Sequence, residues 1–271
     1  EITYGDWSSD VCSSDLLVRR PGPRLSEGIV THIDRSPIDG ALALRQWQNY
    51  VDAVARSGWR VIEVPPADDC PDAVFIEDPV VMYRGVAIIT RPGDDARKPE
   101  TLGVEPVVAE LGCRIERIVA PGTMDGGDVL KIPSSDGDTI FVGLGGRTNR
   151  EGLRQFAAIV EPLGATVVGV PLTKVLHLKS AATALTDGTV VGWLPGLDTT
   201  EPFERFEAVS EESGAHVVLL EPDLILMAAD APAVAASYRA RGYRTIEVDI
   251  SEFIKLEGCV TCLSVRVREL P

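Results

Sequence analysis

Cys262 stands in the stretch Lys255-Leu256-Glu257-Gly258-Cys259-Val260-Thr261-Cys262-Leu263-Ser264, at the head of an apolar run over 261–267 that is expected to be a strand. His177 lies in Val175-Leu176-His177-Leu178-Lys179-Ser180, in a chain with only three histidines. A thiol and an imidazole at strand ends, far apart in sequence, are the parts of a nucleophilic enzyme in which a thiolate attacks and the imidazole moves protons. Each residue also has a plainer reading. A free cysteine is often a small buried hydrophobe, and a histidine between two leucines is often a satisfied core residue. Cys259 and Cys262 form a C-x-x-C pair as well. Zinc would need a second pair of ligands at similar spacing, and Cys70 and Cys113 are isolated. A thioredoxin-type pair opens a helix rather than a strand. His32 and His216 have no acidic or thiol context and read as structural.

Carboxylates gather in two places. Asp72 precedes Phe75-Ile76-Glu77-Asp78-Pro79, and Asp125 and Asp128 occupy the turn Gly122-Thr123-Met124-Asp125-Gly126-Gly127-Asp128. Solvated turn acids are the ordinary explanation for either. An acidic pair flanked by Phe75, Ile76 and Pro79 fits it less well, because an inward charge is unfavourable without a partner or ligand. Gly126-Gly127 is no phosphate loop, since it lacks the lysine and hydroxyl of that motif.

These residues must be held by repeated elements. Five times a segment ends in a glycine that leads into an apolar run, at Gly58, Gly112, Gly164, Gly214 and Gly242. Glycine just past a helix end is the expected left-handed cap. Leu44, Trp47, Val51 and Val54 predict one helical stripe, and Phe156, Ile159 and Val160 another. Asp230 is placed to cap a helix running to Arg241, with Pro232 in its first turn. Further apolar runs at 74–82, 86–90, 128–132 and 139–144 add strands to each unit. Five units of strand, strand, helix and strand predict an α/β fold: a pseudo-symmetric five-bladed propeller with helices outside and the active site on the axis. A doubly wound sheet has no reason to give five such units containing hairpins.

Composition narrows the function. The chain of 271 residues is 45% hydrophobic and 25% charged, as in an ordinary globular protein. Its net charge of −15 argues against nucleic acid and anionic membranes and allows a small cationic substrate. No apolar run approaches the roughly 18 residues of a membrane-spanning helix. Five cysteines, an odd number, read as free thiols in a reducing compartment, and the cytoplasm is the expected location. The head is different. Trp7-Ser8-Ser9-Asp10-Val11-Cys12-Ser13-Ser14-Asp15-Leu16 repeats Ser-Ser-Asp without any helix or strand period. Residues 1–16 therefore read as an adapter-like, non-native and disordered head, with a first strand beginning at Leu17. Residues 17–271 read as a single catalytic domain.

Taken in order, the segments around Asp72–Pro79, Thr90-Arg91-Pro92-Gly93 with Arg97, Gly122–Asp128, Phe141–Leu144 with Arg147-Thr148-Asn149, Leu176–Ser180 and Lys255–Ser264 resemble the dimethylarginine dimethylaminohydrolases of the guanidine-modifying pentein superfamily. The resemblance implies a five-bladed ring and roles for particular residues. Cys262 would attack the guanidinium carbon of an Nω-methylated arginine. His177 would protonate the departing methylamine or dimethylamine and then activate water against the thiouronium, releasing citrulline. Asp125 would orient His177. Glu77, Asp78 and Asp72 would form an acidic wall for the guanidinium, and Arg97 and Arg147 would clamp the α-carboxylate. Backbone near Ile29 and Leu256 would meet the α-ammonium.

No cofactor or metal is implied, and the protein would be a monomer or homodimer. Arginine deiminases share the ring but carry an Asp where Lys179 stands, which favours the methylarginine branch. Gly214-Ala215-His216 departs from the Ala-Ala-Asn-like turn of relatives. A deiminase or another guanidino-compound hydrolase, a non-catalytic pentein binding module and a C-x-x-C redox protein are the competing readings.

Overall fold

In the computed structural model, residues 15–134 and 137–267 are described. Up to residue 14, the expected disordered head lies outside those residues. Its expected end at residue 16 needs correcting. Strand β1 (Asp15–Val18) already contains Asp15 and Leu16, both fully buried. Arg60 Nε reaches Asp15 Oδ1 at 2.6 Å, so the strand begins two residues earlier than expected.

Among the described residues, fifteen strands form five sheets of three. In chain order, β1 is followed by helix α1 (Gly40–Arg56) and β2 (Arg60–Glu63). The second blade holds β3 (Val80–Tyr83), β4 (Val86–Ile89), α2 (Val104–Glu110) and β5 (Arg114–Arg117). The third holds β6 (Val129–Ile132), β7 (Asp138–Leu144), α3 (Arg150–Val160) and β8 (Ala165–Pro171). The fourth has β9 (Ala182–Ala184), β10 (Val190–Gly192) and β11 (Phe206–Ala208). The fifth has β12 (Val218–Glu221), β13 (Leu224–Ala228), α4 (Pro232–Ala240) and β14 (Arg244–Val248). After α5 (Ser251–Ile254), β15 (Val265–Val267) returns to β1 and completes the first blade.

Every blade has the same wiring. The central strand, β1, β4, β7, β10 or β13, pairs antiparallel with one neighbour and parallel with the other. A parallel pair needs a crossover, usually a helix, and four blades use one. The fourth crosses instead through irregular chain with a 3-10 turn at Leu194–Gly196. The five-bladed α/β arrangement expected from the repeats is therefore present, with one blade lacking its helix.

That exception explains a misread repeat. Gly58, Gly112, Gly164 and Gly242 all have positive φ and end the helical segments before β2, β5, β8 and β14. Gly214 is not in that class. It lies in a 3-10 turn ahead of β12, the first strand of the fifth blade, and a β-carbon there would lie 2.6 Å from the Val234 side chain. The fourth blade's third strand is β11, which the repeat does not predict.

Helix faces also shift. Ala43, Trp47, Tyr50 and Val54 point inward on α1, while Leu44 is 39% exposed. The rings decide the face, because the Tyr50 hydroxyl reaches Val260 O at 3.0 Å and Ser264 Oγ at 2.7 Å. In α3, Phe156 and Val160 are buried as expected and Ile159 packs against them. Pro232 opens α4, but Asp230 does not cap it; that carboxylate accepts from Ser213 Oγ. Burial is divided among five apolar clusters. The largest joins β1 and α1 to β12, β13 and the Cys259–Leu263 segment. Large rings such as Trp47 lose roughly 3–5 kcal/mol on truncation to alanine, so α1 anchors that segment firmly. Among the described residues, no helix is long and apolar enough to cross a membrane.

Candidate active site

Turns at the blade ends bring Ile29, Asp72, Asp78, Arg97, Arg147, His177, Leu256 and Cys262 to one small cavity. Asp125 and Glu77 stand behind this lining, each holding a residue that belongs to it or borders it.

Cys262 is not on a strand. Its N–H donates to Cys259 O at 3.1 Å, closing a turn over 259–262, and β15 begins only at Val265. The expected strand over 261–267 is thus shortened to its last three residues. Glu77 N–H donates to the Cys262 carbonyl at 3.2 Å, tying the turn to the acidic segment. The Cys262 thiol is pushed well above its ordinary range, because it shares a hydrogen bond with Cys259 Sγ at 3.3 Å, is buried, and faces the Glu77 and Asp78 carboxylates.

His177 precedes a 3-10 turn, Leu178–Ser180. Its Nε2 lies 3.0 Å from Asp125 Oδ2 and 3.8 Å from Asp78 Oδ1. Burial alone would lower its pKa, but Asp78, the hydrogen bond to Asp125 and Asp128 raise it to about 9. The imidazole is therefore cationic at neutral pH. Gly93 N–H holds the other Asp125 oxygen at 2.8 Å. Gly127 fits edge-on here: its N–H donates to Asp78 Oδ1 at 2.8 Å, and a β-carbon would lie 2.7 Å from the His177 ring. That close approach explains a glycine pair that binds no phosphate.

Arg97 comes from the 3-10 segment Asp95–Gly103 and is almost fully committed to protein. Its Nε and Nη2 grip Glu100 at 2.9 and 2.8 Å, and Nη1 donates to Asp78 Oδ2 at 2.7 Å. Burial pushes Asp78 up, but His177 and Arg97 outweigh it and bring its pKa to about 2. Arg147 differs. It follows β7, is 7% exposed, and its Nη1 is buried without a hydrogen-bond partner, 3.7 Å from Asp125 Oδ2. A buried guanidinium nitrogen left unsatisfied costs about 1–3 kcal/mol until something accepts from it.

Glu77 takes a place that sequence does not indicate. Its carboxylate binds Lys179 Nζ at 2.5 Å and Thr261 Oγ1 at 2.9 Å, so it supports the floor near Cys262 rather than lining the cavity. Both oxygens of Asp72 accept from Ile29 N–H at 3.1 Å. From the other side, Glu257, at φ 60, accepts from Thr31 and His32 N–H at 2.5 and 2.9 Å. Two carboxylates thus strap residues 29–32 beside the cavity.

Phe75, Leu176, Glu257 and Gly258 also line the cavity and have no separate role in the sequence reading. Asp128 is a further unforeseen support. Its Oδ1 accepts from Leu178 N–H at 3.0 Å and its Oδ2 from Thr148 Oγ1 at 2.6 Å, linking the neighbours of His177 and Arg147. Burial pushes it up to about 7. The repeated carboxylate in Asp125-Gly126-Gly127-Asp128 is the signal that points to it.

Asp78, Asp125 and His177 offer ligand atoms within 4.8 Å of one another, a spacing a cation could use. Arg97 and Arg147 already stand 3.9 and 3.7 Å from the Asp125 oxygen, and a metal would have to displace the His177 proton. The charge here is balanced by nitrogen cations.

No family model matches the chain. Over 258 residues it is 60% identical to the N(G),N(G)-dimethylarginine dimethylaminohydrolase of Streptomyces coelicolor, covering 95% of this chain and 98% of the relative. The chain belongs to the dimethylarginine dimethylaminohydrolase family. Another dimethylarginine dimethylaminohydrolase, from Pseudomonas aeruginosa, was solved as a cysteine-to-serine variant complexed with citrulline. It superposes with a TM-score of 0.84 at 34% identity, over 93% of this chain and 98% of that one. The N-terminal domain of ArgZ, a cyanobacterial arginine dihydrolase, shares the fold alone: TM-score 0.79, 21% identity, 96% of this chain and 100% of that domain. Dimethylarginine dimethylaminohydrolases are therefore the frame for the cavity described above, and the pentein ring expected from the resemblance is the fold found.

Proposed function

We propose that this chain hydrolyses Nω-methylated arginines, asymmetric dimethylarginine and monomethylarginine, to citrulline and dimethylamine or methylamine. The observation that carries this reading is the convergence of Cys262, His177, Asp78 and the unsatisfied Arg147 on one cavity.

The α-carboxylate of the substrate satisfies Arg147, and Arg97 adds positive charge beside it from a fixed position. The α-ammonium lies toward Ile29 and Leu256, with Asp72 behind the strap. The guanidinium then faces Asp78 and the Cys262 sulfur. Its positive charge reverses the local balance that keeps the thiol protonated, so binding itself generates the thiolate. Sulfur attacks the guanidinium carbon. Protonated His177, held by Asp125, gives its proton to the departing amine. The neutral imidazole then takes a proton from water, which adds to the thiouronium carbon, and the C–S bond breaks to release citrulline. Lys179 supports the methylarginine branch. It neutralises Glu77 instead of presenting a second carboxylate to an unsubstituted guanidinium. Among the described residues four cysteines are free and buried, which favours a reducing compartment, so the cytoplasm is the proposed location.

The test is to incubate the purified protein separately with asymmetric dimethylarginine, arginine and agmatine and quantify citrulline and amines by mass spectrometry. Citrulline and dimethylamine from the first alone are expected. Ammonia from arginine would overturn the choice of substrate. Cys262→Ser should abolish turnover, while Cys259→Ser should keep most of it; the reverse pattern would remove Cys262 as nucleophile.

A further inference from the structure

The reaction proposed above needs one cysteine, and the structure places two together. Cys259 Sγ lies 3.3 Å from Cys262 Sγ, both residues are buried, and Cys259 does not line the substrate cavity. The turn-closing hydrogen bond from Cys262 N–H to Cys259 O makes these residues the first and fourth of a β-turn. Such turns hold their end α-carbons within about 7 Å, and disulfides span α-carbons about 4.4–6.8 Å apart. A bonded pair of sulfurs is about 2.05 Å apart, so closure asks for little more than an ångström of side-chain movement. Thr261 Oγ1 steadies the arrangement, contacting Cys259 Sγ at 3.2 Å and Glu77 Oε2 at 2.9 Å.

We propose that Cys259 is a resolving thiol, and that Cys259 and Cys262 form a reversible oxidation site whose oxidant is hydrogen peroxide. Cys262 lines the cavity, which admits so small an oxidant, and Cys259 does not, so access rather than thiolate character makes Cys262 react first. Its sulfur attacks one peroxide oxygen, the O–O bond breaks, and the product is a sulfenic acid with one water, the thiol proton going to the departing hydroxide. The Cys259 sulfur then attacks the Cys262 sulfur. The S–O bond breaks and leaves as a second water carrying the Cys259 proton. Two thiols have given two electrons, and one peroxide has become two waters. A dithiol reductant reverses the step by exchange.

The chemical consequence is protection as well as silencing. A lone cysteine sulfenic acid goes on to sulfinic acid, which thiols do not reduce, whereas a sulfenic acid with a thiol in contact condenses to a disulfide. Turnover stops while the nucleophile is held in the bond and returns when the bond is reduced. Only this effect on turnover rests on the function proposed above; the disulfide does not.

The experiment treats the purified full chain with hydrogen peroxide, alkylates remaining thiols, digests with trypsin and weighs the peptide 256–266, which carries both cysteines and no other. In parallel, turnover of asymmetric dimethylarginine is followed before and after dithiothreitol. The expected peptide is lighter by two hydrogen atoms, turnover is lost in step with its appearance, and dithiothreitol restores both. In Cys259→Ser the same peptide should instead gain oxygen at Cys262, with a loss of turnover that dithiothreitol does not restore. Sulfinic acid forming on the natural chain as fast as on Cys259→Ser would overturn the proposal, as would Cys262 paired with a different cysteine. Should Cys259→Ser fail to fold, the peptide from the natural chain decides alone. A protein inactive before oxidation would sink the hydrolase reading yet leave the peptide result readable.

Discussion

Arg97 and Arg147 stand 3.9 and 3.7 Å from the same Asp125 oxygen, one supplied by the second blade and the other by the third. The second-blade arginine sits in a closed network with Asp78, Glu100 and two backbone carbonyls. The third-blade arginine keeps a buried nitrogen without a partner. The same residue type thus does two jobs. One wall of the cavity is satisfied before any ligand arrives and fixes the positions of the acids. The other keeps an unsatisfied nitrogen, which the α-carboxylate of the proposed substrate would complete. A residue's nearness to the cavity does not separate these cases; the state of its hydrogen bonds does.

The sharpest way to break this comparison is to remove each arginine in turn. Arg97→Ala leaves Glu100 and Asp78 buried without their cation and should cost about 3–5 kcal/mol of stability. Urea unfolding would read that loss, and an unmoved midpoint would show that the second-blade wall is not structural. Arg147→Ala should instead leave unfolding within about 1 kcal/mol and raise KM roughly 10–100-fold with a smaller change in kcat. A KM that stays put would take Arg147 out of substrate binding.

A smaller effect is expected at the acid behind His177. The folded-state pKa of this imidazole, about 9, is raised above its ordinary value. Its cationic form therefore stabilises the fold fully below the unfolded pKa, and that contribution is lost as pH rises through about 9. The proton it donates is lost over the same range, so kcat should fall on the alkaline side near there. Asp125→Asn should move this fall to lower pH by about one unit, about 1.4 kcal/mol; a pH–rate profile identical to that of the natural chain would deny the coupling. Smallest of all, Asp128→Asn keeps an oxygen for the Leu178 N–H and should change kcat by less than about fivefold, about 1 kcal/mol. Asp128→Ala, which removes that acceptor, should do more, and equal rates for the two would show that the link to Leu178 is idle.

Much of the ring was legible because it is written in local chemistry. Left-handed glycines after Ser57, Leu111, Leu163 and Arg241 end four helical segments, and alternating apolar runs mark the strands that follow. Gly214 carried the same local pattern and a different meaning, since what identifies it is the Val234 side chain packed against it from another element. Strand β11 escaped because Phe206–Ala208 is short and half exposed, with no helix before it. At the site, residue types and order pointed to the cavity, but partner choice did not show. Nothing in Glu77-Asp78 says that the first carboxylate turns to Lys179 and the second to Arg97. The first pairing joins separate blades, and the second joins two segments of one blade that meet only once β3 and β4 have paired. The i,i+3 relation of Arg97 and Glu100 was visible in principle and marks that arginine as already partnered.

Ring closure has a consequence for the order of synthesis. Strand β1 is synthesised well ahead of its second neighbour, β15, with thirteen described strands between them. Until then β1 presents an unpaired edge, the kind of surface that invites wrong pairing. Cys262 lies just ahead of β15. A nascent chain can therefore assemble its acids, imidazole and arginines well before the segment that carries Cys262, so the proposed nucleophile joins the site after the groups it would work with.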